Sequence, residues 1–247
     1  MKIILACVLF IAAGLAQAAN EIDAKVEAAL TAESRPPADG DRDRNRKALA
    51  TLNFFAMKDD MRVLELIPGG GWYTRVLAPV LAENGKLYVA LGTNRVKEGV
   101  LTQPGFEKVE LLETTDNLHR PEGARLYRTD DFDFGVSNID MALTFRNLHN
   151  FDAESRGRIN SEVFKVLKHG GLYGIVDHTR RHMESDNAEN RRRLDPVVVI
   201  KEMLDQGFEF VRFSDLHYRA DDELRYEVGR KTVTGNTDRF TLLFRKP

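Results

Sequence analysis

The sequence predicts one open α/β domain: a mostly parallel sheet with helices on both faces and an antiparallel strand at its edge. Three observations carry this expectation. From residue 61 onward, short apolar runs alternate with stretches of helical spacing, the pattern of strands joined by crossovers. The first such run leads directly into Gly69-Gly70-Gly71 and then into a helix-like segment. The last two runs are separated by a long excursion with little helical pattern, which suits an antiparallel pair.

The elements follow in order. Lys2 gives a positive start, Ile3 to Leu15 is apolar or small throughout, and Ala16-Gln17-Ala18 supplies small residues at the positions a signal peptidase reads. Residues 1–18 therefore read as a signal peptide cleaved after Ala18, which sends the chain to the periplasm or out of the cell. The apolar run is shorter than the roughly 20 residues of a membrane span, so no stable membrane association is expected after cleavage. The single cysteine, Cys7, lies inside this leader, leaving a mature chain without disulfides or thiolate metal ligands.

Residues 19–60 are expected to form an N-terminal helical cap. Ile22, Val26 and Leu30 have helical spacing, Pro36-Pro37 ends that segment, and residues 41–57 form a second helix, charged first and apolar later. Within it, Asp43 and Arg46 are three apart; they form either a surface pair or part of a lid over the site.

The main domain is expected to span 61–247. Residues 61–67 read as a buried strand, followed by a helix with Val76, Leu77, Val80 and Leu81 on one face and a kink at Pro79. Asn84-Gly85 stops that helix before a strand at 86–91. Shorter strand candidates lie at 106–113 and 124–128. A strand at 139–145 precedes a helix marked by Ile159, Val163 and Val166, which His169-Gly170-Gly171 closes before a strand at 172–178. A helix in 195–206 and strands at 208–213 and 239–244 complete the chain.

With 43% apolar residues the chain can bury a substantial core, and its net charge of −2 offers no footprint for nucleic acid. No repeat period is visible.

The glycine triplet sits where a doubly wound sheet binds ligands, beyond the carboxyl end of its first core strand. Glycine lets the backbone turn sharply and approach a ligand, although a plain strand-to-helix turn uses glycine too. Glu65, inside the strand, is a carboxylate that needs partners in a dry sheet.

Val63-Leu64-Glu65-Leu66 with Pro68-Gly69-Gly70-Gly71 and Tyr73-Thr74 resembles the first motif of class I S-adenosylmethionine-dependent methyltransferases. Residues 145–151, FRNLHNF, are similar to a post-strand segment of quinone-biosynthesis C-methyltransferases, as is LKHGGLYGIVDH at 167–178. The chain is more similar still to a group of predicted exported methyltransferases that share the PGGGWYT loop, the FRN–H segment, the VDH strand end and a G-x-TDRF stretch, here Gly235 to Phe240. The resemblance covers about residues 35–247. It implies a Rossmann-like, seven-stranded class I methyltransferase fold and S-adenosylmethionine as cofactor. It assigns cofactor contacts to Glu65, Pro68, Gly69, Gly70, Gly71, Tyr73, Thr74, Gly92, Thr93, Asp130 and Phe145. Asp130 either accepts from the adenine amino group or merely starts a solvated turn.

Two departures stand out. Ile67 replaces the first glycine of the usual motif and Pro68 removes an N–H, so the loop is expected to take its own path. Leu91 stands where the family ends its second strand with an acid that grips the ribose hydroxyls, a contact worth about 1.5–3 kcal/mol. Thr93 or Asn94 could replace part of it.

For chemistry, Arg146, Asn147 and His149 follow the fourth main strand, where the resemblance brings cofactor and substrate together. His149 is the first candidate base and Asn147 a substrate-orienting amide; both could instead cap the next helix. Asp177 and His178 end the fifth strand, and only one of the pair should face the site. His178 and His182 have metal-pair spacing without a convincing third ligand, so no metal is expected. Arg180-Arg181 and Arg191-Arg192-Arg193 read as a solvated loop, or as an anion site in which Arg193 and Asp195 act together. The chain is thus expected to be an S-adenosylmethionine-dependent methyltransferase acting on a small molecule. The alternative is a non-catalytic metabolite-binding protein that keeps the fold.

Overall fold

The computed structural model describes residues 22–114 and 118–247. The expected leader, its cleavage site and Cys7 lie outside the described residues. Helix α1 covers residues 22–31, and α2 (Pro37–Arg46) and α3 (Ala48–Phe54) follow it. Alternation then begins with β1 (Arg62–Leu66), α4 (Thr74–Leu81), β2 (Lys86–Ala90), α5 (Asn94–Glu98) and β3 (Glu110–Leu111). The second half contains β4 (Ile139–Phe145), α6 (Ala153–Val166), β5 (Leu167–His178), α7 (Pro196–Asp205), β6 (Glu209–Ser214) and β7 (Arg239–Arg245).

The strands form one seven-stranded sheet in the order β3-β2-β1-β4-β5-β7-β6. Pairings from β3 through β5 are parallel. The antiparallel strand is β7, which enters between β5 and the outermost strand β6.

Strand side chains alternate between faces, and the sequence alternation sorts them into two apolar layers. Val63, Leu87, Met141 and Leu143 meet Val26, Leu52 and Leu77 from α1, α3 and α4. Their neighbours Leu64, Tyr88, Ala142 and Leu242 meet Ile159, Val163, Val199 and Met203 from α6 and α7. Burial on both faces explains why the strands read as near-continuous apolar runs.

Helix starts are set locally. Asp152 accepts from Ser155 N at 2.9 Å to cap α6. Asp195 accepts from Val197 N at 2.9 Å to cap α7, with Pro196 in the first turn. No helix among the described residues is long and apolar enough to cross a membrane.

Several boundaries differ from the sequence reading. The one helix expected over 41–57 is split into α2 and α3 at Lys47, whose left-handed φ of 46° turns the chain. The strand candidate at 106–113 shortens to Glu110–Leu111. Residues 124–128 form no strand: Tyr127 and Arg128 make only isolated bridges to Phe151 and His119. Their charged neighbours Arg125 and Arg128 turn outward to Asp186 and Asp152. Strand β5 begins at Leu167 rather than 172, because Leu167 pairs with Ile139 before an irregularity shifts the register to Met141 and Leu172.

Candidate functional site

The neighbouring strands β2, β1 and β4 all end in the same way. Each is followed by a residue other than glycine in the left-handed region: Leu91 at φ 63°, Ile67 at 53° and Arg146 at 63°. Such residues cost about 1–3 kcal/mol each and persist only where the surroundings hold them. Here Ile67 N donates to Ala90 O at 2.8 Å and Arg146 N to Val176 O at 2.7 Å. Asn147 reaches back across the crevice, donating from Nδ2 to Leu66 O at 3.3 Å and Ile67 O at 3.1 Å. Its amide therefore braces the loop and makes no cap on the short turn that follows. The unusual path expected of the loop is visible as this left-handed Ile67, a conformation that β-branched residues rarely adopt.

The loop itself turns through Gly69 (φ 59°) and Gly71 (φ 77°), with Gly71 N donating to Pro68 O at 3.0 Å. A Cβ on Gly71 would stand 2.4 Å from Val100 Cγ2, so this position requires glycine twice over.

Beneath the loop lies a cavity of about 220 Å³. Of the cofactor candidates, Glu65, Pro68, Gly69, Gly70, Tyr73 and Phe145 line it, as do Arg146 and Asn147 from the catalytic set. Glu65 is only 2% exposed. Thr74 donates from Oγ1 to Glu65 Oε2 at 2.7 Å, which accounts for Thr74 although it does not line the cavity. Burial pushes the Glu65 carboxyl up to about 7, against the opposing pull of the Thr74 hydrogen bond and Arg46.

One wall is aromatic. Tyr73 stacks on Phe145 with centroids 3.5 Å apart, and Trp72 meets Tyr73 edge-on at 4.7 Å. Helix α2 lies across this wall: Trp72 Nε1 donates to Asp39 O at 3.0 Å and Tyr73 Oη to Arg46 O at 3.3 Å. The Arg46 guanidinium sits 4.5 Å over the Trp72 ring and faces the cavity. The Asp43–Arg46 surface pair is not formed, because Asp43 instead holds Arg35 through two bonds of 2.8 and 3.0 Å.

The histidines stand apart from the cavity lining. His149 Nδ1 lies 2.5 Å from Asp177 Oδ1, and His149 N donates to Asp177 Oδ2 at 3.1 Å. His178 packs beside it, ring centroids 5.4 Å apart, with Nδ1 2.9 Å from Thr237 Oγ1. Of Asp177 and His178, one of which is expected to face the site, neither lines the cavity, and both lie against His149. Burial first, then the nearby cationic groups, holds His178 well below the usual histidine range. His182 has a different partner, Asp195 at 2.8 Å.

The remaining candidates scatter. Thr93 is buried next to α5, while Gly92 and Asp130 are exposed and line no part of the cavity. Leu91 packs into the apolar layer under α6 and α7, and the polar lining beyond β2 comes from Arg95. The 191–193 run is not wholly solvated: Arg193 is fully buried and pairs with Asp222 at 2.8 and 3.0 Å, not with Asp195. Sequence reasoning also missed Arg42, Arg95 and Arg239. Arg239 lies within the G-x-TDRF stretch itself and Arg95 follows Thr93 and Asn94, and the sequence reading gives neither a role.

The strand order, with β7 antiparallel near the sheet's end, meets a direct counterpart among solved structures. A SAM-dependent methyltransferase from Aquifex aeolicus superposes with a TM-score of 0.59 at 16% identity, over 91% of this chain and 98% of that one. The fold is that of class I methyltransferases. The [4+2]-cyclase SpnF superposes with a TM-score of 0.56 at 16% identity, covering 82% of this chain and 80% of its own. The Burkholderia thailandensis 1,6-didemethyltoxoflavin-N1-methyltransferase, solved with its substrate and S-adenosylhomocysteine, scores 0.52 at 15% identity over 85% and 81%. No protein-family model and no curated protein matches the sequence. In a class I methyltransferase fold the crevice described above lies at the switch of strand order, where β1 separates β2 from β4.

Proposed function

We propose that this chain is an S-adenosylmethionine-dependent methyltransferase that acts on a small molecule outside the cytoplasm, where the leader-like residues 1–18 would send it. The observation that carries the reading is the glycine loop turned over a buried carboxyl, Glu65, at the carboxyl ends of β1 and β4.

The residues fit the amino-acid half of such a cofactor. Glu65 Oε2 is held by Thr74, and an ammonium group beside it would offset the burial that keeps the carboxyl near neutrality. Loop glycines allow close backbone approach, and the Trp72–Tyr73–Phe145 wall excludes water from one side. When bound, the cofactor would supply an electrophilic methyl group for the acceptor's lone pair, and the acceptor's proton would remain for this chain's residues or water to remove. Positioning accounts for much of the acceleration such a transfer needs. Arg146 would orient the acceptor from the cavity wall. His149, fixed by Asp177 on its Nδ1 side, would take the proton through Nε2 after a small rearrangement or through water.

A second reading is favoured by Leu91. Its side chain belongs to the core and Arg95 occupies the lining beyond β2, so among the described residues no carboxylate lines the cavity there. That is the pattern of a metabolite-binding protein that retains the fold without the reaction.

Calorimetric titration of the purified protein with S-adenosylmethionine and S-adenosylhomocysteine separates the two. Trp72, the only tryptophan, lines the cavity and gives an independent fluorescence readout. Saturable micromolar binding, abolished by Gly71→Val, is expected of the methyltransferase. Absence of binding at millimolar ligand sinks it.

A further inference from the structure

Arg46, Arg146 and Arg239 come from α2, the end of β4 and the start of β7, and they converge on the same two aromatic rings. Arg46, Tyr73, Phe145 and Arg146 line the main cavity and also a small recess behind it, whose remaining walls are Val176, His217 and Arg239. Arg46 is 8% exposed and Arg239 6%. A buried guanidinium normally has a carboxylate against it, as Arg193 has Asp222. Among the described residues none lies within ion-pair distance of Arg46, Arg146 or Arg239, and the Nε atoms of Arg46 and Arg239 have no hydrogen-bond partner at all. Arg239 is fixed through Nη1 to Asn45 O at 2.6 Å, and Arg46 by stacking over Trp72. Arg42 and Arg95 add two further guanidinium groups to the lining of the main cavity.

We propose that this cavity binds a small molecule bearing an oxyanion, a carboxylate or a phosphate, and that Arg46 and Arg146 receive it with Arg239 behind them. On the methyltransferase reading, on which this last step rests, the ligand is the methyl acceptor.

The cluster is costly without an anion. Burial, then repulsion from Arg146, lowers Arg46 to about 9 and Arg239 to about 10; burial also lowers Arg146, with Arg42 repelling it while Tyr73 and Asp177 pull the other way. The carboxyl at the cavity, Glu65, is itself driven toward its neutral form and pairs with Thr74 rather than with an arginine. A sulfonium cofactor, with two cationic groups against one carboxylate, cannot neutralise the cluster. A planar guanidinium fork is suited to a carboxylate or phosphate, to which it donates two parallel hydrogen bonds.

An oxyanion could also be the cofactor's own carboxylate, and linkage tells the sources apart. Inorganic phosphate is titrated at constant ionic strength into the wild-type protein, read by calorimetry and Trp72 fluorescence, then repeated at saturating S-adenosylhomocysteine. Saturable phosphate binding that persists beside S-adenosylhomocysteine is expected. Arg46→Gln and Arg146→Gln should each weaken it about tenfold or more, with Arg46→Lys intermediate. Mutual exclusion of phosphate and S-adenosylhomocysteine would overturn the acceptor assignment, since the cluster would then serve the cofactor. No saturable phosphate binding, or wild-type binding in the folded Gln variants, would overturn the site itself. If Arg46→Gln fails to fold, the half-buried Arg146 decides. Arginine-dependent phosphate binding without any binding of the adenosyl compounds would uphold the anion site and remove the methyltransferase reading.

Discussion

Asp177 holds His149 at two points, its backbone N–H and its Nδ1, and takes a third hydrogen bond from His178 N at 2.7 Å. An ionised carboxylate only accepts, so the proton of a neutral His149 belongs on Nδ1 and the lone pair on Nε2. Asp177→Asn turns a donor toward a donor in a fully buried place. It should destabilise the fold by about 1–3 kcal/mol, measured by urea unfolding. A change inside about 0.5 kcal/mol would show that the carboxylate does not organise this histidine.

Asn147 offers a test of the braced loop. Asn147→Ala removes both donations to Leu66 O and Ile67 O and should cost about 1–2 kcal/mol. Asn147→Asp should cost more, because a carboxylate cannot donate and would face two carbonyl oxygens. Unfolding curves showing the Asp variant to be the more stable of the two would contradict this placement.

The buried acid and the buried imidazole oppose each other in pH. Glu65 rises from 4.5 to about 7 in the folded protein, so its contribution to stability falls as pH rises between those values and is constant above. The amount is on the order of 3 kcal/mol. His217, buried against Thr241 and Arg46 O, drops from 6.5 to about 4, so its contribution is lost as pH falls through that window. His178, also held well below the usual histidine range, adds a slope of the same sign as His217, so Glu65 offsets only part of the histidine effect in the wild type. Glu65→Gln should expose the histidine slope, with stability near wild type at pH 4.5 and above it at pH 8. A variant whose pH profile runs parallel to the wild type refutes the assignment.

Arg193 and Asp222 tie three loops together, for Asp222 also accepts from Leu224 N at 3.0 Å and Asp238 N at 2.6 Å. Asp222→Ala leaves a buried guanidinium unpaired and should cost about 3–5 kcal/mol. The double variant Arg193→Leu, Asp222→Ala should recover part of this in thermal unfolding. Additive losses would mean that the pair is not coupled.

What the sequence disclosed is what short-range patterns encode. The apolar run at Val63 and Leu64 and the turn at Gly69 and Gly71 each depend on a few adjacent residues, whereas the cap of α6, expected at Asn147 or His149, lies at Asp152. The pairings it hid depend on chain segments far apart: Asp177 with His149 lies 28 positions away, and Arg193 with Asp222 lies 29. Arg46 illustrates the limit well. Spacing suggested Asp43 as its partner, but Trp72 and the cavity lie on the side of α2 that the sequence could not orient. Ile67 was legible as a substitution at a glycine position, but not as a residue that would accept the left-handed backbone.

The bonds that shut the rear of the crevice all join one early segment to one late one. Lys47 reaches Leu216 O, His217 reaches Arg46 O, and Arg239 reaches Asn45 O across 194 positions. Arg239 opens strand β7, which has to thread between β5 and β6. A growing chain therefore possesses its glycine loop long before it possesses a closed pocket. Affinity for any ligand held there arises in the same event that completes the sheet, and a chain cut before Arg239 would have neither.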